Sequence, residues 1–446
     1  MKNRPLIAAA TAALAMSMLA ACSTGGNVDP GDVNGDVVPR ELVWLTARSE
    51  TSPSVSTVKT IAEDYAKDHP GFKLTLMTTA DRPSYLQKLE TLAAANQLPD
   101  FFDIDATPYA QKLKDKGVMV DMNKLIDELD VRDQFRPQAL SYQTFADGSL
   151  AMLPLEFDQE YFWYNTNIFA EAGVSIPATL EEFPAMCGKL KAAGVTPISV
   201  TGPEGWPLQR YLSFLPFRQT GNEYIEKLRI GDTSMGDAVG SAASEWVASL
   251  GDAGCFSPDV AAQSYTDARD AFTQGKAAVY YIGTWELPTL MDEAALAPSL
   301  QKGGLDFFTL PTSAKATTED NDFYFHSGIG FALNSTKFDA LTKDFVSYIV
   351  DHYPALYAQT GQFSPIVGDG PVEPKYDSPL YQRLSDELDQ LGDTLVRPWD
   401  TMLDPATNSR MQEDLPLLVQ GGRSPAEFAD DIDQSVRSNA SSYFAG

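Results

Sequence analysis

Glu41-Leu42-Val43-Trp44-Leu45-Thr46, just after Pro39, is a strand-length run of apolar, β-branched and aromatic residues, and the order of elements after it decides the fold. Val58, Ile61, Ala62 and Tyr65 recur at helical spacing, and Pro70-Gly71 ends that helix before a second strand, Phe72 to Met77. Ser84 with Gln87 reads as a capping box for a helix through Leu86, Leu89 and Ala93. Pro99 precedes the apolar strand Phe101 to Ile104, and a helix near Tyr109 to Lys116 stops at Gly117. This strand-helix alternation predicts a mostly parallel sheet with helices on both faces.

A second block of the same kind begins near Leu150. It holds the strand Tyr161 to Tyr164, a helix capped by Thr179 with Glu182, and the strand Val195 to Val200. A helix carrying Val239, Ala243, Trp246, Val247 and Leu250 comes next, then the strand Ala277 to Ile282. Ser424, Pro425 and Glu427 start the final helix. The pattern predicts two α/β lobes.

Toward the amino end, Lys2 and Arg4 precede the apolar stretch Leu6 to Ala21, which has the form of an export signal and is too short for a permanent membrane span. It ends in Leu19-Ala20-Ala21-Cys22, which resembles the lipobox of bacterial lipoproteins. That resemblance implies a diacylglycerol on Cys22, and two acyl chains hold a protein at a membrane where one binds marginally. Gly25 to Val38, rich in Gly, Asp and Asn, reads as a tether. The expected address is the cell membrane, lipid-anchored on its extracytoplasmic face.

The formal net charge is −28, and loss of Lys2 and Arg4 makes it more negative still. Such a surface repels phosphate backbones, so nucleic acid is excluded as a partner. Cys187 and Cys255 remain after Cys22. Export permits a disulfide between them, while the stripe Phe183, Met186, Leu190 equally suits Cys187 as a buried thiol. The three His and two remaining Cys are scattered, which gives no metal-ligand spacing, and no cofactor is expected.

Six segments, in order, resemble the extracellular solute-binding proteins (family 1) of ATP-driven carbohydrate importers, the maltose-binding-protein-like group. Asp147 to Pro154 resembles "DGKVYGLP". Tyr161 to Phe169 with Ala172-Gly173 resembles "LYYNKDLFKKAG", and Pro177 to Phe183 resembles "PPKTWDEF". Phe272 to Tyr280 with Gly283-Thr284-Trp285 resembles "FAAGKAAMYIDGSW". Phe307 to Pro311 resembles "FPLP", and Gly328 to Asn334 resembles "GGGWAIS". The resemblance implies a periplasmic-binding-protein-like α/β fold, two lobes joined by crossing hinge segments around an interlobe ligand cleft. It places the signal peptide at 1–21 and the lipidated Cys22 and tether at 22–40. The N-terminal lobe takes 41–152 and 327–370, the C-terminal lobe 153–326 and 371–446, with crossings near Leu153, Phe325 and Gly368 to Pro374. It further implies a monomer that hands an oligosaccharide to permease subunits and catalyses nothing.

A sugar presents apolar C–H faces, which aromatic rings cover, and hydroxyls, which carboxylates and Arg hold in pairs. Ligands of open α/β sheets sit beyond the carboxyl ends of the strands. Trp285, in the Gly-Thr-Trp turn after the strand 277–282, matches the family's stacking Trp, and Trp399 in Arg397-Pro398-Trp399-Asp400 resembles another. Trp206 lies in the loop Gly202 to Pro207 after a strand, suited to the cleft or to anchoring that loop. Trp246 reads as core, and Trp44 and Trp163, within strands, as packing. Asp105, Asp158, Arg48, Glu50 and His326 follow strands or crossings and are the polar candidates, with Gln362 and Phe363 behind them. Two other readings compete. Glu156 and Asp158, two apart on an extended segment, could be a glycosidase pair. The same fold with an acidic, aromatic cleft could take a non-sugar solute such as a polyamine.

Overall fold

The computed structural model describes residues 33–444 apart from 80, 323, 369–372, 374 and 391–395. The export signal, Cys22 and the first part of the tether lie outside the described residues. The described strands are β1 (Glu41–Leu45), β2 (Lys73–Met77), β3 (Phe101–Ile104), β4 (Asp158–Asn165), β5 (Thr196–Ser199), β6 (Ala277–Gly283), β7 (Leu305–Phe308), β8 (Phe325–His326) and β9 (Gly330–Leu333). They form two sheets, ordered β2-β1-β3-β9 and β5-β6-β4-β7, with β8 paired to β4.

In the first sheet, β1 runs parallel to β2 and β3, as the alternation predicts, and only β9 is antiparallel. Successive side chains point to opposite faces, which divides the lobe's core in two. Leu42, Trp44, Phe101 and Phe331 pack on one side with the helices Pro53–Asp68 and Ala340–Ala358. Leu45, Phe102, Ile104 and Ala332 pack on the other.

The second sheet departs from the mostly parallel expectation. β5 and β6 are parallel, but β4 is antiparallel to β6 and β7. The reason is how the chain enters. β4 continues directly from the hinge, so its first residues lie at the edge where β6 ends, with Glu160 opposite Gly283. All eight β4 residues are buried. Around them lies an aromatic core that includes Phe162, Phe183, Tyr211, Phe214, Trp246 and Tyr281. Cys187, in the helix Phe183–Ala192, and Cys255, just beyond the helix Ala238–Asp252, are joined by a disulfide with Cα atoms 4.9 Å apart.

Two caps differ from expectation. The helix Arg82–Ala94 begins one turn earlier than Ser84, because Asp81 accepts the Ser84 amide and Pro83 fits the first turn. A 3₁₀ turn, Leu180–Glu182, precedes the helix Phe183–Ala192. The Thr179 side chain caps nothing there, and Glu182 reaches back to the Ala178 amide. Ser424 does form its capping box with Glu427, although the short helix Ser441–Phe444 comes after that helix.

The lobes are joined three times. Leu153 still pairs with Phe331 in the first lobe and β4 begins at Asp158, so residues 154–157 cross. β8 pairs with β4 and β9 with β3, so residues 327–329 return. Ile366 bridges Phe135 while Tyr381 packs in the second core, so the third passage lies between them, partly outside the described residues. Phe157 of the first crossing and Phe325, in β8 just before the second, pack with Ala139, Tyr142 and Leu388 into a small hinge cluster.

Candidate functional site

A cavity of about 660 Å³ opens between the lobes. Its walls are the segments that come after β1, β2, β3, β5 and β6, together with the first two crossings. This is the position that open α/β sheets provide for ligands.

The second lobe supplies an aromatic corner. The Trp206 and Trp285 rings meet edge to face, their centroids 5.9 Å apart. Trp285 lies just after β6, and its ring folds back so closely over Gly283 that a Cβ there would come within 1.8 Å of it. Its indole N–H donates to the Tyr265 hydroxyl at 2.8 Å, which donates to Glu286 at 2.6 Å. Trp206 opens the helix Trp206–Thr220, and the Arg210 guanidinium lies 5.1 Å from its ring. Aromatic surface fixed in this way can cover the apolar face of a pyranose.

Charged groups line the rest. Arg48, after β1, pairs with Glu156 of the first crossing, which also accepts the Ser54 hydroxyl at 2.9 Å. Burial opposes the Arg48 charge, but Glu156, Asp158 and Asp103 more than offset it and raise its pKa. Asp103 lies behind, its carboxylate accepting the Trp44 indole N–H, the Thr46 hydroxyl and the Ala47 amide at 2.7 to 2.8 Å. Those bonds fix the end of β1 and aim Arg48. Burial still pushes the Asp103 carboxyl up to about 7. On another part of the first-lobe wall, Arg82 pairs with Asp105 at 2.5 Å. Opposite, Arg210 pairs with Glu160 at 3.0 Å and Asp400 at 2.5 Å in the second.

His326 lies beneath them, its ring 4.7 Å from Trp285 and 6.0 Å from Tyr142. Burial, then the charges of Arg210, Arg48 and Arg82, push its pKa well below the usual imidazole value. The Gly328 amide donates to Nδ1 at 2.9 Å, so the neutral ring carries its proton on Nε2.

The structure thus brings Trp285, Trp206, Arg48, Asp105 and His326 to one cavity. Three candidates fall elsewhere. Trp399 is 3% exposed and stacks on Tyr224 in the core of the second lobe. The next residues, Asp400 and Thr401, reach the cavity instead, because Trp399 starts a short helix whose first residue turns inward. Glu50 turns to the surface and pairs with Lys59 at 3.2 Å. Asp158 is buried below the cavity, accepting the Thr284 hydroxyl at 2.8 Å. Burial and the neighbouring Glu156 raise its pKa well above the carboxylate range. Gln362 is buried near the hinge, its amide 3.5 Å from the Trp285 carbonyl, and Phe363 stacks on Tyr381. Trp44, Trp163 and Trp246 are buried, and each indole N–H is bonded within its own lobe.

Arg82, Arg210, Asp400, Tyr142 and Tyr265 also line the cavity, and sequence reasoning does not single them out. Asp81 and Arg82 come after β2, so position after a strand could have flagged them. Arg210, Tyr142 and Tyr265 sit on helices, and no local pattern distinguishes them from other helical residues.

A two-lobed α/β binding protein with its cavity between the lobes is the class that this fold and site define. The chain belongs to the bacterial extracellular solute-binding protein family, whose sequence profile matches residues 49–351. A multiple sugar-binding protein of Streptococcus mutans is 23% identical over 53% of this chain and 56% of its own length. An ABC transporter extracellular-binding protein of Pyrococcus horikoshii is 23% identical over 61% of this chain and 62% of its own. The chain therefore aligns with less than two thirds of the length of these curated relatives. Among solved structures, a chitin oligosaccharide binding protein superposes with a TM-score of 0.79 at 22% identity, covering 91% of this chain and 100% of that one.

Proposed function

We propose that the protein captures an extracellular carbohydrate, an oligosaccharide rather than a monosaccharide, between its lobes and delivers it to the permease of an ABC transporter without catalysing a reaction. The observation that carries this reading is the aromatic corner of Trp206 and Trp285 set beside carboxylate-paired arginines in one interlobe cavity. Stacking surface plus paired hydrogen-bonding groups is what a sugar needs and an ion does not. The relative named for multiple sugars and the structural neighbour named for chitin oligosaccharide support the same class.

In this reading the lobes are 41–152 with 327–370 and 153–326 with 371–446. Cys22 is lipidated behind a signal at 1–21, residues 22–40 tether the lobes to the extracytoplasmic face of the cell membrane, and the protein acts as a monomer. Glu156, held by Arg48 and Ser54, and Asp158, buried beneath the cavity, support this reading over a glycosidase pair.

Thermal unfolding against a panel of mono- and oligosaccharides, with spermidine and peptides as controls, tests the proposal. A true ligand at a hundredfold excess over its dissociation constant stabilises by about 2.7 kcal/mol. We expect a shift with one group of sugars, and Trp285→Ala to weaken that sugar by about tenfold or more. A shift with spermidine alone, or product release from the sugars, would overturn it.

A further inference from the structure

The cavity's charge balance narrows the sugar, and the inference rests on the proposal that the cavity is a sugar site. Four cations line it, and each already has a carboxylate. Arg48 is paired with Glu156, Arg82 with Asp105, Arg210 with Asp400 and Glu160, and Arg269 with Asp270. No lysine lines the cavity among the described residues, and His326 is held neutral by its surroundings. An incoming anion would therefore meet no unpaired positive charge, and it would have to share a guanidinium with a carboxylate already in place.

Carboxylates, by contrast, are in surplus. Besides those in the pairs, Asp81, Glu204 and Glu286 line the cavity. Glu286 is engaged by the Tyr265 hydroxyl, and Asp81 caps its helix. Glu204 is half-buried and forms no ion pair or side-chain hydrogen bond among the described residues. It belongs to the second lobe and Asp81 to the first, and across the cavity Arg82 attracts it while Asp81 repels it.

The Glu204 loop is held rigidly. The Gly202 amide is bonded to the Gln263 carbonyl, a Cβ on Gly202 would meet the Val260 carbonyl oxygen at 2.3 Å, and Gly205 closes the turn at φ +72. Glu204 therefore stays on the cavity wall, two residues before Trp206 in the chain.

We infer that the cleft selects sugars by charge, accepting neutral sugars, holding those with a protonated amine more tightly and rejecting uronic acids and sugar phosphates, with Glu204 and Asp81 as the pair that sets the preference. An amine placed between the two carboxylates gains an attraction to each lobe, opposed only by Arg82, whose charge Asp105 already holds. It thereby favours the closed arrangement as well as the bound sugar.

The test is titration calorimetry of the protein at low salt with glucose, glucosamine, glucuronate and glucose 6-phosphate, the corresponding galactose series, and trimers of the neutral, amino and acidic sugars. Within a series, the amino sugar should bind about tenfold tighter than its neutral parent, and the parent about tenfold tighter than the acid. The amine preference should shrink in high salt and in Glu204→Gln and Asp81→Asn, and Glu204→Lys should reverse the order of amine and acid. Acids binding as well as their parents, amines binding no better, or the preference surviving in Glu204→Gln and Asp81→Asn would each overturn the inference while leaving the sugar site standing. No binding by any sugar would overturn the sugar reading itself, and this inference with it.

Discussion

His326 concentrates several constraints in one side chain. Its Nδ1 is taken by the Gly328 amide within the second crossing, its ring abuts Trp285, and burial together with three arginines makes protonation costly. The unfolded chain binds a proton on this residue below about pH 6.5 while burial disfavours it in the folded chain, so this group's contribution to stability falls as pH drops, and the raised Asp103 carboxyl contributes in the opposite sense. From pH 7 to pH 5 this group removes up to about 2 kcal/mol. Urea unfolding of the parent and of His326→Gln at both pH values checks it. The change on going from pH 7 to pH 5 should be more favourable in the variant than in the parent, and equal changes would mean that His326 is protonated in the folded state. Trp399 shows the opposite side of residue-scale reading. A Trp in a Pro-Trp-Asp turn resembles a stacking position, yet which face of a short helix points into a core is set by packing partners such as Tyr224, far away in sequence.

At the scale of elements, local rules read well where the signal is local. The Ser424 capping box, the stop at Gly117 with φ +72, and the strands β1, β3 and β6 are legible because caps, turns and apolar runs act over a few residues. The direction of β4 is not, since an apolar strand buried on both faces looks the same whether its neighbours run parallel or antiparallel. Nor does sequence decide the disulfide, because both chemistries suit Cys187. The bond closes a loop across 68 residues and ties the helix Phe183–Ala192 to the turn beyond Ala238–Asp252. A loop of that length restricts the unfolded chain by roughly 4 kcal/mol. Replacing Cys187 and Cys255 by Ser should cost stability of that order in denaturant titrations. No change would show that the aromatic core alone holds these elements together.

At the scale of the whole molecule, the cavity is built from both lobes, the crossings meet in a small apolar cluster around Phe157 and Phe325, and the lobes also touch where Lys112 lies over the Tyr443 ring. Few buried contacts resist rotation at such a hinge, and a ligand touching both walls favours the closed arrangement. Small-angle X-ray scattering should therefore show a smaller radius of gyration with saturating sugar than without. Identical dimensions would rule out closure on the ligand. The sequence by itself determined the two α/β lobes, the order of their elements, the family resemblance and the after-strand positions that hold Trp285, Trp206, Arg48 and Asp105, because each of these rests on patterns a few residues long. Only the tertiary structure decided which aromatic rings meet the cavity and how its charges are paired. Arg48 finds Glu156 across 108 residues and Arg210 finds Asp400 across 190, and no local spacing encodes a partner brought near solely by folding.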